Sequence, residues 1–142
     1  MINNKNKTTY PSLAGRHALV SGGASGIGEA LVRALAQQGC LVSFFDIDQA
    51  AGDALAKELK AQGYQAHFDL VDLTQIETLK DTIHGRMSAW GAIRILVNNA
   101  ANDHRHTLQE LTSEQFDQCM SVNLKHHFFA AQAVAPAMAE AG

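Results

Sequence analysis

A chain of 142 residues, 46% hydrophobic and 18% charged, can fill one domain with a core but not two ordinary ones, and it is too apolar for a disordered segment. Lysine and arginine total 11 against 14 aspartates and glutamates, a formal net charge of −3 that offers no basic field to a nucleic-acid backbone. No apolar run approaches the ~18 residues of a membrane span, and Cys40 and Cys119 lack metal-ligand spacing, so the expectation is reduced thiols in the cytoplasm with neither nucleic acid nor membrane as partner.

Residues 1–14 open on the polar stretch MINNKNKTTYPS, which has no apolar signal core, and are expected to form a flexible tail. From residue 15 to 142, runs of strand length alternate with segments of helical period. HALVS (17–21) reads as the first strand. IGEALVRALAQQG (27–39) reads as a helix with Ile27, Leu31, Ala34 and Leu35 at helical spacing and Gly39 as its stop. LVSFFD (41–46) is the second strand, and the helix 50–63 places Ala51, Leu55 and Leu59 on one face. QAHFD (65–69) is a weaker third strand, followed by a helix over 76–91 with Ile76, Leu79, Ile83 and Met87, and by IRILVNN (93–99) as the fourth strand. Thr112 and Gln115 stand at capping-box spacing before a last helix through Phe116, Met120, Leu124, Phe128, Ala131 and Met138, which Pro136 is expected to bend or break. Such alternation predicts an α/β fold: a doubly wound parallel sheet with right-handed crossovers.

The most informative local stretch is VSGGASGIG (20–28), with Gly22, Gly26 and Gly28 between the first strand and the first helix. Glycines there permit a tight turn and close approach of the backbone to a pyrophosphate, toward which the helix directs free N–H groups and its positive end. Asp46 ends the second strand, where a carboxylate can accept both ribose hydroxyls of an adenosine. It would repel the 2′-phosphate of NADP, and neither Ser25 nor Ile47 supplies a compensating cation, so NAD is the expected cofactor.

These residues resemble the short-chain dehydrogenase/reductase family, whose glycine pattern T-G-x-x-x-G-x-G is matched by Ser21-Gly22-Gly23-Ala24-Ser25-Gly26-Ile27-Gly28 with serine for threonine. The resemblance implies a Rossmann-type fold. Within FDLVD it makes Asp69 the partner of the adenine amino group and lays Leu70 against the ring. NNAA (98–101) resembles the family's N-N-A-G, so that Asn98 and Ala100 would line the cofactor cleft. SVNL supplies Asn123, matching the helix asparagine that supports the family's proton relay. The stretches NNAANDHRH and VNLKHHFFAAQAVAP are also similar to sugar dehydrogenases of this family, such as those resembling D-xylose 1-dehydrogenase. On that resemblance Asn102, Asp103, Arg105 and His106 become candidates for recognising a sugar or alcohol, with a solvated loop as the competing reading.

His104 with His106 and His126 with His127 lack the i, i+4 spacing of a helical metal site, so no metal is expected. The family's catalytic tyrosine and lysine form Y-x-x-x-K, and neither Tyr10 nor Tyr64 begins that pattern. The resemblance therefore implies a sheet truncated after the fourth βα unit. Its catalytic serine, tyrosine and lysine would be absent, its fourth strand would be an open edge prone to self-association, and homo-oligomers would be expected of the full-length family. Three functions stay open at this point: part of an NAD-dependent dehydrogenase, a catalytically inactive NAD-binding or interaction module, and a non-functional truncated product.

Overall fold

In the computed structural model of the chain, which describes residues 8–142, four parallel strands make one sheet in the order β3-β2-β1-β4. They are β1 (His17–Ser21), β2 (Leu41–Asp46), β3 (Ala66–Leu70) and β4 (Ile93–Val97). Helices α1 (Gly26–Gln37), α2 (Gln49–Ala61), α3 (Ile76–Trp90), α4 (Ser113–Met120) and α5 (His126–Ala141) account for the segments of helical period. Every residue of β1 is buried, as its near-continuous apolar run requires of a central strand covered on both faces. Ala18, Val20, Val42 and Phe44 pack with Val32 and Ala36 of α1 and with Leu55 and Leu59 of α2. Leu19, Phe45 and Ile93 pack on the other face with Leu79 and Ile83 of α3 and with Ala130 and Val134 of α5. The expected doubly wound sheet is therefore present. The chain moves outward through β1, β2 and β3, then returns to place β4 on the other side of β1. That reversal opens a crevice beyond the carboxyl ends of β1 and β4.

Three local expectations change. Residues 8–14 are held rather than loose: Tyr10 N donates to Gln38 Oε1 at 2.8 Å, Gln38 Nε2 donates to the Thr8 carbonyl at 3.0 Å, and Leu13 packs on the core. Residues 1–7 of the expected tail lie outside the described residues. The buried stripe of α1 is Gly28, Val32 and Ala36, while Ile27 points to solvent with 76% exposure.

The last helical stretch is interrupted by a π-helical turn at Ser121–Lys125 and runs on through Pro136. Pro136 lies on the exposed side of α5, where water can satisfy the carbonyl it leaves without a donor. The π turn adds a residue to the helical repeat, so α5 buries His126, Ala130 and Val134. Phe116, Met120, Leu124 and Phe128, which the periodicity groups on one stripe, are exposed.

Candidate cofactor-binding site

At the end of β1 the chain turns sharply, and the N–H groups of Gly22 and Gly23 donate to the Phe45 carbonyl at 2.8 and 3.1 Å. Gly26 takes φ +55°, a conformation that side-chain-bearing residues rarely adopt, and α1 starts there. A Cβ on Gly28 would lie 1.8 Å from the Gly22 carbonyl oxygen, so only glycine lets the first turn of α1 sit against the strand end. Ser25 occupies the N-cap without a side-chain capping bond, which leaves the first-turn N–H groups unclaimed by that hydroxyl. A strand end, a glycine turn and an uncapped helix start thus meet at one point, a geometry suited to an anion.

Asp46 stands beside this turn at the end of β2. Its Oδ2 accepts from Ala24 N at 3.0 Å, and its Oδ1 accepts from Ile47 N at 2.8 Å and Asp48 N at 3.1 Å. Three backbone donors from two loops therefore fix the carboxylate before any ligand arrives. The next acid, Asp48, caps α2 by accepting from Ala51 N at 3.0 Å, so no cation lies among the groups that hold Asp46. Ile27 in the first turn of α1, Ile47 next to Asp46 in the chain, and Leu70 on the neighbouring strand are exposed at 76%, 73% and 54%. Leu70 pairs directly with Asp46 across the sheet.

Asp69 is placed differently from the expectation. It lies inside β3, with Arg86 Nε of α3 at 3.5 Å from Oδ2 and His67 Nε2 at 3.4 Å from Oδ1. The buried Oδ2 has no hydrogen bond and depends on that ion pair. Asp72, which sequence reasoning passed over, is exposed beyond the end of β3. Its Oδ1 accepts from Thr74 N at 2.9 Å and from Thr74 Oγ1 at 2.7 Å. Its signal was available: an acid between a strand end and a helix start, the same placement as Asp46.

On the other side of the crevice, the segment after β4 is tied down at several points. The Ser21 hydroxyl oxygen accepts from Asn99 N at 3.0 Å and Ala100 N at 3.2 Å. Asn99 Nδ2 donates to the Ser21 and Gly22 carbonyls at 3.1 and 3.0 Å, which joins this segment to the glycine turn. Asn98 Nδ2 donates to the His127 carbonyl at 3.2 Å, while its buried Oδ1 has no partner. His127 Nε2 lies 3.2 Å from the Ala100 carbonyl oxygen. Asn123, in the π turn, grips Asn102 twice: its Oδ1 accepts from Asn102 N at 2.7 Å and its Nδ2 donates to the Asn102 carbonyl at 2.8 Å.

Asn98 and Ala100 were singled out by the sequence for the cofactor cleft, whereas Asn99 was not, and His126 and His127 were weighed only as metal ligands. Among the four residues expected to meet substrate, Asn102 is held by Asn123 and accepts from His104 N at 3.0 Å. Asp103, Arg105 and His106 are exposed on the following loop. His126 is fully buried, and burial, reinforced by the neighbouring His127, lowers its pKa to about 4 against the opposing bond to the Val122 carbonyl. No group of three or more histidine, cysteine or acidic side chains that could hold a metal occurs among the described residues.

A doubly wound sheet with its switch point between β1 and β4, a glycine turn into α1 and a carboxylate at the end of β2 define a fold of the Rossmann class. Residues 16–142 match the family described as short chain dehydrogenase, and the chain belongs to that family of oxidoreductases, which bind a nicotinamide cofactor. A probable galactose dehydrogenase, GalD, of Rhizobium meliloti (strain 1021) is 46% identical over 134 residues, covering 94% of this chain and 52% of that protein. The D-xylose 1-dehydrogenase of Caulobacter vibrioides (strain NA1000 / CB15N) is 39% identical over 133 residues, again covering 94% of this chain and 52% of that protein. The chain spans about half the length of these curated relatives. A metagenomic short-chain oxidoreductase solved in complex with NADP superposes with a TM-score of 0.86 at 32% identity, over 92% of this chain and 59% of that one. The chain is thus similar to sugar dehydrogenases in sequence and to short-chain oxidoreductases in fold.

Proposed function

We propose that these 142 residues form the cofactor-binding part of an NAD-dependent short-chain dehydrogenase that oxidises a sugar, or a related polyol or alcohol, at a hydroxyl-bearing carbon. The observation that carries the reading is Asp46, an acid held by three backbone N–H groups at the rim of β2 next to the start of α1. An ionised carboxylate has about four acceptor positions, so Oδ2, which takes only the Ala24 N–H, keeps one for a ribose hydroxyl. The residues present fit a dinucleotide: Gly22, Gly26 and Gly28 with the α1 start for the pyrophosphate, Ile27, Ile47 and Leu70 against its apolar faces, and Asn98 and Ala100 along the nicotinamide side. Asp72, exposed beyond β3, is the better placed acid for the adenine edge, because Asp69 is engaged with Arg86 inside the strand.

When bound, the cofactor supplies a ring carbon that accepts hydride. The chain's own contribution is binding and orientation. The α1 start and the glycine backbone take the phosphates, Asp46 selects the unphosphorylated ribose by charge, and Asn123 steadies Asn102 where the sugar would enter. A neutral-pH hydroxyl oxidation also needs a base for the hydroxyl proton. No Y-x-x-x-K occurs among the 142 residues, so that base is assigned to residues outside them. The second reading, a nucleotide-binding module without turnover, draws on the same observation. Titration calorimetry with NAD, paired with an assay of NADH formation on galactose and xylose, tests both. Binding without NADH formation is the expected result for this chain. Turnover by the isolated 142 residues would contradict the assignment of the base.

A further inference from the structure

Within the π turn the backbone pattern slips by one residue: His126 N–H donates to the Ser121 carbonyl rather than to that of Val122. The slip frees the Val122 carbonyl, and the His126 side chain takes it up through Nδ1. A carbonyl only accepts, so Nδ1 carries the hydrogen and Nε2 of the neutral ring presents a lone pair. Nε2 faces Ser21 Oγ at 3.4 Å. That oxygen already accepts from Asn99 N and Ala100 N, which uses both of its lone pairs and leaves its single hydrogen for Nε2. One placement of protons therefore satisfies the whole row from Val122 to Ala100. The other tautomer would set N–H against O–H and a lone pair against a carbonyl. His126 and Ser21 are both buried, so water does not stand in for a missing partner.

We infer that His126 is a positioning residue of the cofactor cleft. It orients the Ser21 hydroxyl, which holds the Asn99–Ala100 backbone against the glycine turn. The same helical slip sets Asn123 on Asn102, and the His127 ring, 4.1 Å from that of His126, reaches the Ala100 carbonyl. One irregular turn of helix thereby aligns the segment after β4 at three points. The purpose of that alignment rests on the cofactor reading proposed above, whereas the proton placement does not.

Three variants of the full chain test the inference. His126→Leu removes the acceptor, His126→Gln returns a carbonyl near the position of Nε2, and Ser21→Ala removes the hydroxyl. Nitrogen-15 spectra of the wild-type histidines should show His126 neutral with its hydrogen on Nδ1. In calorimetry with NAD, His126→Leu and Ser21→Ala should each weaken binding on the order of tenfold, the double variant no further than either single, and His126→Gln should remain within about threefold of wild type. The Asn99 and Ala100 amide resonances should shift in the leucine and alanine variants and recover with glutamine. A hydrogen on Nε2 would overturn the inference, as would a folded His126→Leu chain with wild-type affinity and unmoved Asn99 and Ala100 resonances. If the wild-type chain binds neither NAD nor NADP, the cofactor reading fails. The tautomer of wild-type His126 still decides the positioning claim in that case, even where a variant does not fold.

Discussion

Asp46 and Gly28 both meet the β1–α1 turn, and each makes a demand that one substitution can expose. Asp46→Asn keeps the shape but removes the charge that disfavours a 2′-phosphate, so NAD affinity should fall roughly tenfold while the preference against NADP narrows. Competition titrations with the two cofactors read both effects, and unchanged selectivity would remove Asp46 from the ribose site. Gly28→Ala drives a methyl to 1.8 Å from the Gly22 carbonyl, which requires α1 to move away from the strand end. The expected cost is more than ~3 kcal/mol of stability, seen as a drop in the denaturant midpoint. A well-folded Gly28→Ala chain with the parent midpoint would refute the close approach.

The buried histidines make stability depend on pH. Burial lowers the pKa of His17 from 6.5, against its bond to the Gly91 carbonyl, and holds His126 at about 4. Unfolding returns both to the ordinary range, so below about 6.5 the unfolded chain binds more protons than the folded one. Stability should be complete above that pH and fall as pH descends toward 4, with His126 a main contributor to the loss. Unfolding curves from pH 7.5 down to 4.5 should show this slope and show it flattened in His126→Gln. Parallel curves would contradict the burial cost.

Helix and strand existence was legible because it depends on local period, and the glycine turn and Asp46 were legible because they stand at fixed places relative to β1 and β2. The faces of the helices were less so. Ile27 fits the apolar spacing of α1, yet it lies where the helix begins at the open rim, and Gly28 takes the buried place because the strand end comes so close. In α4 and α5 the stripe from Phe116 to Phe128 is exposed as a whole, Phe116 and Met120 ahead of the π turn at Ser121–Lys125 as well as Leu124 and Phe128, and α5 buries His126, Ala130 and Val134 instead. That turn is favoured by contacts between distant residues, Asn123 with Asn102 and His126 with Ser21, which no local pattern announces. Asn99 and His126 were missed for the same reason. Their roles exist only once β1, β4 and α5 are side by side.

The start of α4, by contrast, was written in the chain. Thr112 accepts from Gln115 N at 3.2 Å while Gln115 Oε1 accepts from Thr112 N at 2.9 Å, the reciprocal box that the spacing suggested. Thr112→Ala should cost about 1 kcal/mol and speed amide exchange in α4 selectively. Uniform exchange behaviour in parent and variant would show that packing, not the cap, holds the helix.

At the scale of the whole molecule, the sheet order β3-β2-β1-β4 puts the glycine turn, Asp46 and the Asn98–Asn102 segment around one crevice, and the family match spans nearly all of the chain. β4 is an outer strand, and an open strand edge favours pairing with another copy. We expect sedimentation velocity to show association that grows with concentration, and a monomer at every concentration would argue that the edge is adequately guarded. On the proposed reading, this crevice holds NAD through Asp46, and calorimetric titration of the 142-residue chain with NAD and with NADP tests that. Saturable binding of NAD, weaker binding of NADP and loss of NAD affinity in Asp46→Asn are the expected results. Binding of neither cofactor by the folded chain, or tighter binding of NADP than of NAD, would contradict that reading.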